Sequence, residues 1–164
     1  MKKVLIVEDE ILARLGLRQL VDWKKLELEL LPDATDGEEA LEMIRNSCPD
    51  IILLDLNIPK VSGLEILEFL KKEEMPTKVI VVSCQEEFDV VKKAMKLGAY
   101  DYLRKLNLSS DELENILEKC LVETEERITV HMQGIREIRY EEIVRDSRDC
   151  LLYTSPSPRD RSLS

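Results

Sequence analysis

Five positions in this chain carry side chains suited to handling charge: Glu8 and Asp9 side by side, then Asp55, Ser83 and Lys105. Carboxylates held within a few ångströms of one another repel and raise each other's pKa, so three together stay ionised only beside a cation. A divalent ion meets that demand. All-oxygen ligation with room for water suits Mg2+, which takes one or two protein carboxylates and completes its octahedron with water and phosphate oxygens. Lys105 would repel such a metal yet attract an anion bound beside it, and the Ser83 hydroxyl could donate to the same anion. The most economical ligand is a phosphoryl group held between Mg2+, Lys105 and Ser83. Asp55 is then the natural nucleophile, because carboxylates form aspartyl phosphates, and phosphoryl transfer asks mainly for positioning and charge neutralisation.

Residues so far apart in sequence need a scaffold to meet, and the intervening pattern supplies one. Val4-Leu5-Ile6-Val7, Leu28 to Leu31, Ile51 to Leu54, Val79 to Val82 and Tyr100 to Leu103 are five strand-like apolar runs. Continuous rather than alternating runs mark strands covered on both faces, as in parallel sheets. Between them lie stretches with helical spacing: Ile11, Leu12, Leu15 and Leu20; Ala40, Leu41 and Ile44; Leu64, Leu67 and Leu70; Phe88, Val91 and Met95. Leu113, Ile116, Leu117 and Cys120 follow the last strand. Each stretch is expected to pack as a helix on the sheet. Gly98 fits a helix C-cap and Ser109-x-x-Glu112 a capping box. Strands alternating with helices predict an open, doubly wound α/β domain whose site lies outside the carboxyl ends of the strands. Glu8, Asp9, Asp55, Ser83, Arg104 and Lys105 all fall at or just past those ends.

Composition narrows the function classes. With 44% hydrophobic and 35% charged residues in 164, the chain reads as one soluble globular domain plus an extension. No apolar run approaches the ~20 residues that cross a bilayer, and Met1-Lys2-Lys3 leads directly into a strand without a cleavage site, so a cytoplasmic protein is expected. A formal charge of -10 argues against nonspecific nucleic-acid binding, which needs clustered Lys and Arg. The four cysteines, Cys48, Cys84, Cys120 and Cys150, form no C-x-x-C pair and are read as ordinary thiols.

The pattern changes near residue 122. Leu117, Leu121, Thr124, Ile128, His131, Ile135 and Ile138 step by four and three, a heptad spacing weakened by Thr124, His131 and Gly134. Residues 1–122 are therefore expected to form the domain and 123–149 a helical linker with some tendency to dimerise. The stretch CLLYTSPSPRDRSLS from Cys150 has no periodicity and resembles one reading frame of a sequencing-library adapter, so 150–164 is expected to be a non-native, disordered tail and the natural protein to continue past Asp149.

VLIVEDE, IILLDLNIPKVSG, VIVVSC and KLGAYDYLRK together resemble the four signature blocks of response-regulator receiver domains from bacterial two-component signalling, in that family's order and spacing. The resemblance implies a flavodoxin-like, five-stranded parallel sheet with five flanking helices. It implies that Asp55 accepts phosphate from a sensor histidine kinase, that Asp9 ligates Mg2+ with Glu8 assisting, and that the backbone carbonyl of Asn57 is a further ligand. Lys105 would pair with the phosphate, the Cys84 backbone N–H would contact it, Ser83 would be the switch hydroxyl, and Tyr102 the aromatic that swings inward. A homodimer would form through the fourth helix, fifth strand and fifth helix. On this basis the chain is a phosphoacceptor with self-phosphorylation and slow self-dephosphorylation rather than an enzyme. ARLGLRQLVDW and SCQEEFDVVKKAMKLGAYDYL further resemble receivers joined to AraC-type helix-turn-helix domains, which implies transcriptional output through a DNA-binding part missing from this chain. A stand-alone receiver acting by protein contact is the alternative.

Plainer readings stand beside these. Asp9 could cap a helix, Tyr102 could be a packed aromatic, Cys84 a space-filling residue and Trp23 a helix-end packer, while His131 has no partner in sequence. A haloacid-dehalogenase-like phosphatase would need a second aspartate two residues after Asp55, where Asn57 stands. A flavodoxin-like nucleotide binder would need a glycine-rich loop, and the five glycines are not clustered. One departure from the family concerns Leu106, which occupies the position of a proline preceded by a cis peptide. Because a cis bond before a non-proline residue costs about 2.5–4 kcal/mol, the Lys105–Leu106 bond is either strained or trans, with Lys105 shifted.

Overall fold

The computed structural model describes residues 1–84 and 87–137, with side chains described as far as Glu123. Five strands alternate with five helices: β1 (Lys2–Val7), α1 (Ile11–Leu20), β2 (Leu28–Leu30), α2 (Gly37–Ser47), β3 (Ile51–Leu54), α3 (Gly63–Lys72), β4 (Lys78–Ser83), α4 (Phe88–Lys96), β5 (Asp101–Arg104) and α5 (Ser110–Glu137). The strands form one parallel sheet in the order β2-β1-β3-β4-β5. This is the doubly wound architecture expected from the alternating pattern, in the flavodoxin-like form that the resemblance implied. The order reverses direction between β1 and β3, the switch point at which open α/β sheets bind ligands.

β3 shows why a parallel sheet forms here. Ile51, Ile52, Leu53 and Leu54 are all buried, and such a run is stable only where helices cover both faces. Leu5, Val7, Ile52, Leu54, Val79 and Val81 form one cluster with Ala40 and Ile44 of α2, Ile66, Leu67 and Leu70 of α3, and Ala94 of α4. Strand alternation sends Val4, Ile6, Leu53, Ile80 and Val82 to the opposite face, all buried, as are Leu17 of α1 and Leu113 of α5. Burying each large aliphatic side chain contributes about 1.5–3 kcal/mol, which makes β1, β3 and β4 the rigid part of the scaffold.

Helix ends are set locally. The Asp36 side chain accepts from the Glu39 backbone N–H at the start of α2, and Ser62 with Glu65 forms a full capping box on α3; neither cap was picked out from sequence. Asp36 is held below the usual carboxylate range, first by that backbone hydrogen bond and also by Lys60. Ser109 accepts from the Glu112 N–H at 3.1 Å, the expected N-cap of α5. Gly98 takes a φ of +102° just past α4, a conformation that glycine adopts without strain.

Two helices correct the sequence pattern. Ile11, Leu12 and Leu15 on α1 are 60%, 79% and 48% exposed, and Phe88 and Met95 on α4 are 75% and 43% exposed, while Leu17 and Ala94 are buried instead. Both helices are apolar on two sides, so spacing alone names the larger side chains, whereas contact with the sheet selects the opposite stripe.

The chain divides into two units, Met1–Ile116 and Leu117–Ser164. In the second, the backbone is helical to Glu137. His131 lies in this helix, and the heptad position Ile138 and the tail at 150–164 lie outside the described residues. Cys84 and Cys120 are free thiols, as read from the sequence, and Cys150 lies outside the described residues. No described helix is long and apolar enough to cross a membrane.

Candidate functional site

The register of the sheet delivers the charged residues to one rim. Val7 of β1 pairs with Leu54 of β3, so Glu8 and Asp55 are the next residues on adjacent strands, and the ladder continues through Asp55 N–H to the Val7 carbonyl at 3.1 Å. Ser83 pairs with Arg104, which places Lys105 one residue beyond; its N–H donates to the Ser83 carbonyl at 3.0 Å. On the other flank, the Glu8 N–H donates to the Ala34 carbonyl at 3.0 Å.

Glu8, Asp9 and Asp55 each bring a carboxylate oxygen within 4.8 Å of the others, with Glu8 and Asp55 buried and Asp9 exposed. The Lys105 ammonium enters this group. It lies 3.0 Å from Asp55 Oδ2, 2.8 Å from Glu8 Oε1 and 3.6 Å from Glu10 Oε1. The Glu8 contact is an ion pair outside regular hydrogen-bond geometry. The remaining oxygens are oriented by backbone: Asp55 Oδ1 accepts from the Asn57 N–H at 3.1 Å, and Glu8 Oε2 from the Glu10 N–H at 3.0 Å.

Burial pushes the Glu8 carboxyl above its ordinary pKa; the contact with Lys105 and the Glu10 N–H oppose the rise, and the Asp55 charge adds to it. For Lys105, burial works toward a lower value, but the close contacts with Glu8 and Asp55 and their charges outweigh it and hold the ammonium above the ordinary lysine pKa. The site therefore carries three acids and one firmly charged cation, with one of the acids reluctant to ionise. A second cation would relieve that imbalance. The donor set is all oxygen with one exposed member, which fits a hard divalent ion that keeps part of its water.

The expected residues thus separate into two groups. Glu8, Asp9, Asp55 and Lys105 are brought together directly, and the plain helix-cap reading of Asp9 fails because Glu10 is the N-cap of α1. Ser83 is fully buried at the end of β4. Tyr102 is half-buried against the core cluster and opposite Val81, so strand alternation puts it on the same sheet face as Ser83. Asn57 and Cys84 are exposed in the loops that follow β3 and β4. Trp23 is buried past the end of α1, its indole N–H donating to the Arg18 carbonyl at 3.0 Å.

No cis peptide occurs among the described residues, so Lys105–Leu106 is trans. Lys105 still reaches both acids, and the 62% exposed Leu106 side chain turns outward. Sequence reading missed Glu10 and Arg14. Glu10 follows the acidic pair and joins Lys105. Arg14 donates to the carbonyls of Glu8 and Asp9 at 3.1 and 3.3 Å, whereas its spacing from Glu10 suggests only a surface i,i+4 pair.

Comparison with known proteins bears on the same residues. The family described as Response regulator receiver domain matches residues 4–118. An uncharacterized response regulatory protein of Staphylococcus epidermidis is 34% identical over 118 residues, covering 72% of this chain and 46% of the relative. The nitrate/nitrite response regulator protein NarL of Escherichia coli is 33% identical over 102 residues, 62% of this chain and 47% of its own. The chain thus spans about half the length of the curated relatives it matches. A crystal structure of a DNA-binding response regulator of the LuxR family from Staphylococcus aureus superposes with a TM-score of 0.66 at 29% identity, covering 73% of this chain and 98% of that one.

Proposed function

Because this chain belongs to the response regulator receiver domain family, the receiver of two-component signalling, we propose that Asp55 is its phosphoacceptor, modified by a sensor histidine kinase. The observation that carries this reading is the convergence of the Glu8, Asp9 and Asp55 carboxylates at the sheet's switch point, with the Lys105 ammonium against Glu8 and Asp55. A carboxylate oxygen of Asp55 attacks the phosphorus of a phosphohistidine; the P–O bond forms as the P–N bond breaks, and the imidazole leaves.

Each residue has a task in that transfer. The Asn57 N–H and Lys105 hold the two Asp55 oxygens in different directions, which fixes the attacking lone pair. Lys105 is positioned to follow the charge as it moves onto the phosphoryl oxygens. Glu8, Asp9, Asp55 and the Asn57 carbonyl would hold Mg2+, which when bound neutralises the acids and the incoming phosphate. Ser83 and the Cys84 N–H are the donors for the transferred group. Ser83 and Tyr102, on one sheet face, form the switch that reshapes the α4, β5 and α5 surface and favours a homodimer. In this reading the chain is a phosphoacceptor that loses its phosphate slowly, not a turnover enzyme, and it works in the cytoplasm.

Transcriptional output belongs to the parent protein. The relatives named above include NarL and a LuxR-family DNA-binding regulator, which supports a DNA-binding partner domain of that kind; none of them supports the AraC-type pairing expected from the sequence.

The test is incubation with acetyl phosphate and Mg2+ followed by intact-mass measurement of the wild type and Asp55→Asn. The expected result is one added phosphoryl group in the wild type, removed by hydroxylamine, and none in the variant. An alkali-stable adduct, or equal labelling of the variant, overturns the assignment.

A further inference from the structure

The acidic pair at the end of β1 is held from outside the site. Arg14 on α1, with its side chain only 16% exposed, aims Nη1 at the carbonyl of Glu8 at 3.1 Å and the carbonyl of Asp9 at 3.3 Å. Its Nε lies 3.7 Å from Asp33 Oδ2, and Asp33 is in turn anchored by Arg18 Nη1 at 2.7 Å. Asp33 precedes Ala34, which brackets the same strand end: the Ala34 N–H donates to the Ile6 carbonyl at 2.9 Å and its carbonyl accepts from the Glu8 N–H. The backbone on either side of the Glu8 side chain is thus tied down by two elements that meet at Asp33.

We propose that Arg14 is a positioning residue for the divalent cation, clamping the Glu8 and Asp9 backbone so that their carboxylates face Asp55, with Asp33 as the anchor that keeps the clamp closed. The proposal rests on the reading that these acids form a metal site. Among the described residues no backbone N–H of another strand donates to the Glu8 or Asp9 carbonyl, and a guanidinium can serve both while an ammonium, a single point of charge, cannot do so with the same rigidity. Asp9 needs the restraint most. Its side chain is exposed, and no hydrogen bond recorded among the described residues orients it, so its direction follows the backbone that Arg14 holds. Loss of groups that orient metal ligands from outside typically weakens binding ~10–100-fold.

The experiment measures Mn2+, an octahedral oxygen-seeking ion with a spectroscopic signal, by electron paramagnetic resonance titration of the full chain, with circular dichroism on each variant. Arg14→Gln is expected to weaken Mn2+ binding about tenfold while the fold is kept. Asp33→Asn is expected to weaken it in the wild-type background and to add nothing in the Arg14→Gln background, because both changes open the same clamp. Wild-type affinity in Arg14→Gln, or fully additive effects of the two substitutions, overturns the clamp. Should Arg14→Gln fail to fold, Asp33→Asn alone decides, unchanged Mn2+ affinity counting against the proposal. A wild type that binds no Mn2+ removes the metal site itself and the clamp's purpose with it, a result distinct from a wild type that binds and variants that bind equally.

Discussion

Lys105→Met replaces the site's ammonium with an apolar side chain of similar length, so packing is nearly kept and the charge is lost. The ammonium lies 2.8 Å from Glu8 and 3.0 Å from Asp55, with 1% and 6% of those side chains exposed. At an effective dielectric near 20, a unit pair about 3 Å apart attracts by roughly 5 kcal/mol. Desolvation of the ammonium offsets a large share of two such terms, and truncating one partner of a buried ion pair leaves a net loss of ~3–5 kcal/mol. We expect a loss of about 3 kcal/mol at pH 7 without divalent ions, toward the low end because Lys105 is partly exposed. Urea unfolding followed by circular dichroism measures it. Two changes of condition should shrink the loss. Saturating Mg2+ supplies the missing positive charge and binds the variant's more negative site more tightly, and a ligand at a hundred times its dissociation constant contributes ~2.7 kcal/mol. Acid does the same from the other side, because Glu8, already raised by burial, takes up a proton when its cation is gone. A loss below about 1 kcal/mol, or one indifferent to both Mg2+ and pH, would refute the picture of Lys105 as the cation that holds the acids together.

Two further predictions follow from the same geometry. Glu8 has a folded pKa above its unfolded value, so without metal its contribution to stability is fully present below about pH 4.5, the ordinary carboxyl value, and is lost as pH rises through the folded pKa. The stability of Glu8→Gln relative to wild type should therefore rise with pH over that window, and pH-resolved urea titrations that show it flat or falling would contradict the burial argument. Gly63→Ala would place a Cβ 2.6 Å from the Leu56 Cα and 2.9 Å from the Asp55 carbonyl oxygen. Since the blocking atoms are backbone, the β3–α3 loop must move, at a cost of ~1–3 kcal/mol, and Mn2+ affinity should fall with the displaced Asp55; a variant as stable and as tight-binding as wild type would show that the loop yields freely.

Much of this was legible in the chain. Apolar runs bounded by turns identified all five strands within a residue or two, most cleanly in β1, β3 and β4, whose central residues are apolar throughout because helices cover both faces of the sheet there. The acids and Lys105 were legible for a related reason: each sits directly past such a run, and parallel strands in one sheet bring their carboxyl ends together. The helices were less legible. The outward stripes of α1 and α4 were mistaken for the packing faces because Leu17 and Ala94 carry no stronger signal than Leu12 and Phe88, and only the position of the sheet chooses between the two sides. Arg14 and Asp33 were invisible, since their partners are backbone carbonyls and a loop carboxylate brought close by the β1–β2 pairing rather than by sequence spacing.

Residue type and order by themselves determined which groups gather at the rim, since a strand's last residue points to the same end of a parallel sheet wherever the strand lies. What tertiary structure alone decided is how those groups are held. Lys105 reaches Glu8 and Asp55 across a trans bond to Leu106, Asp33 joins two arginines of α1, and Gly63 lets α3 press on the backbone of Asp55. These are contacts between segments distant along the chain, with distances set by strand register and helix packing, and neither quantity is written in local periodicity.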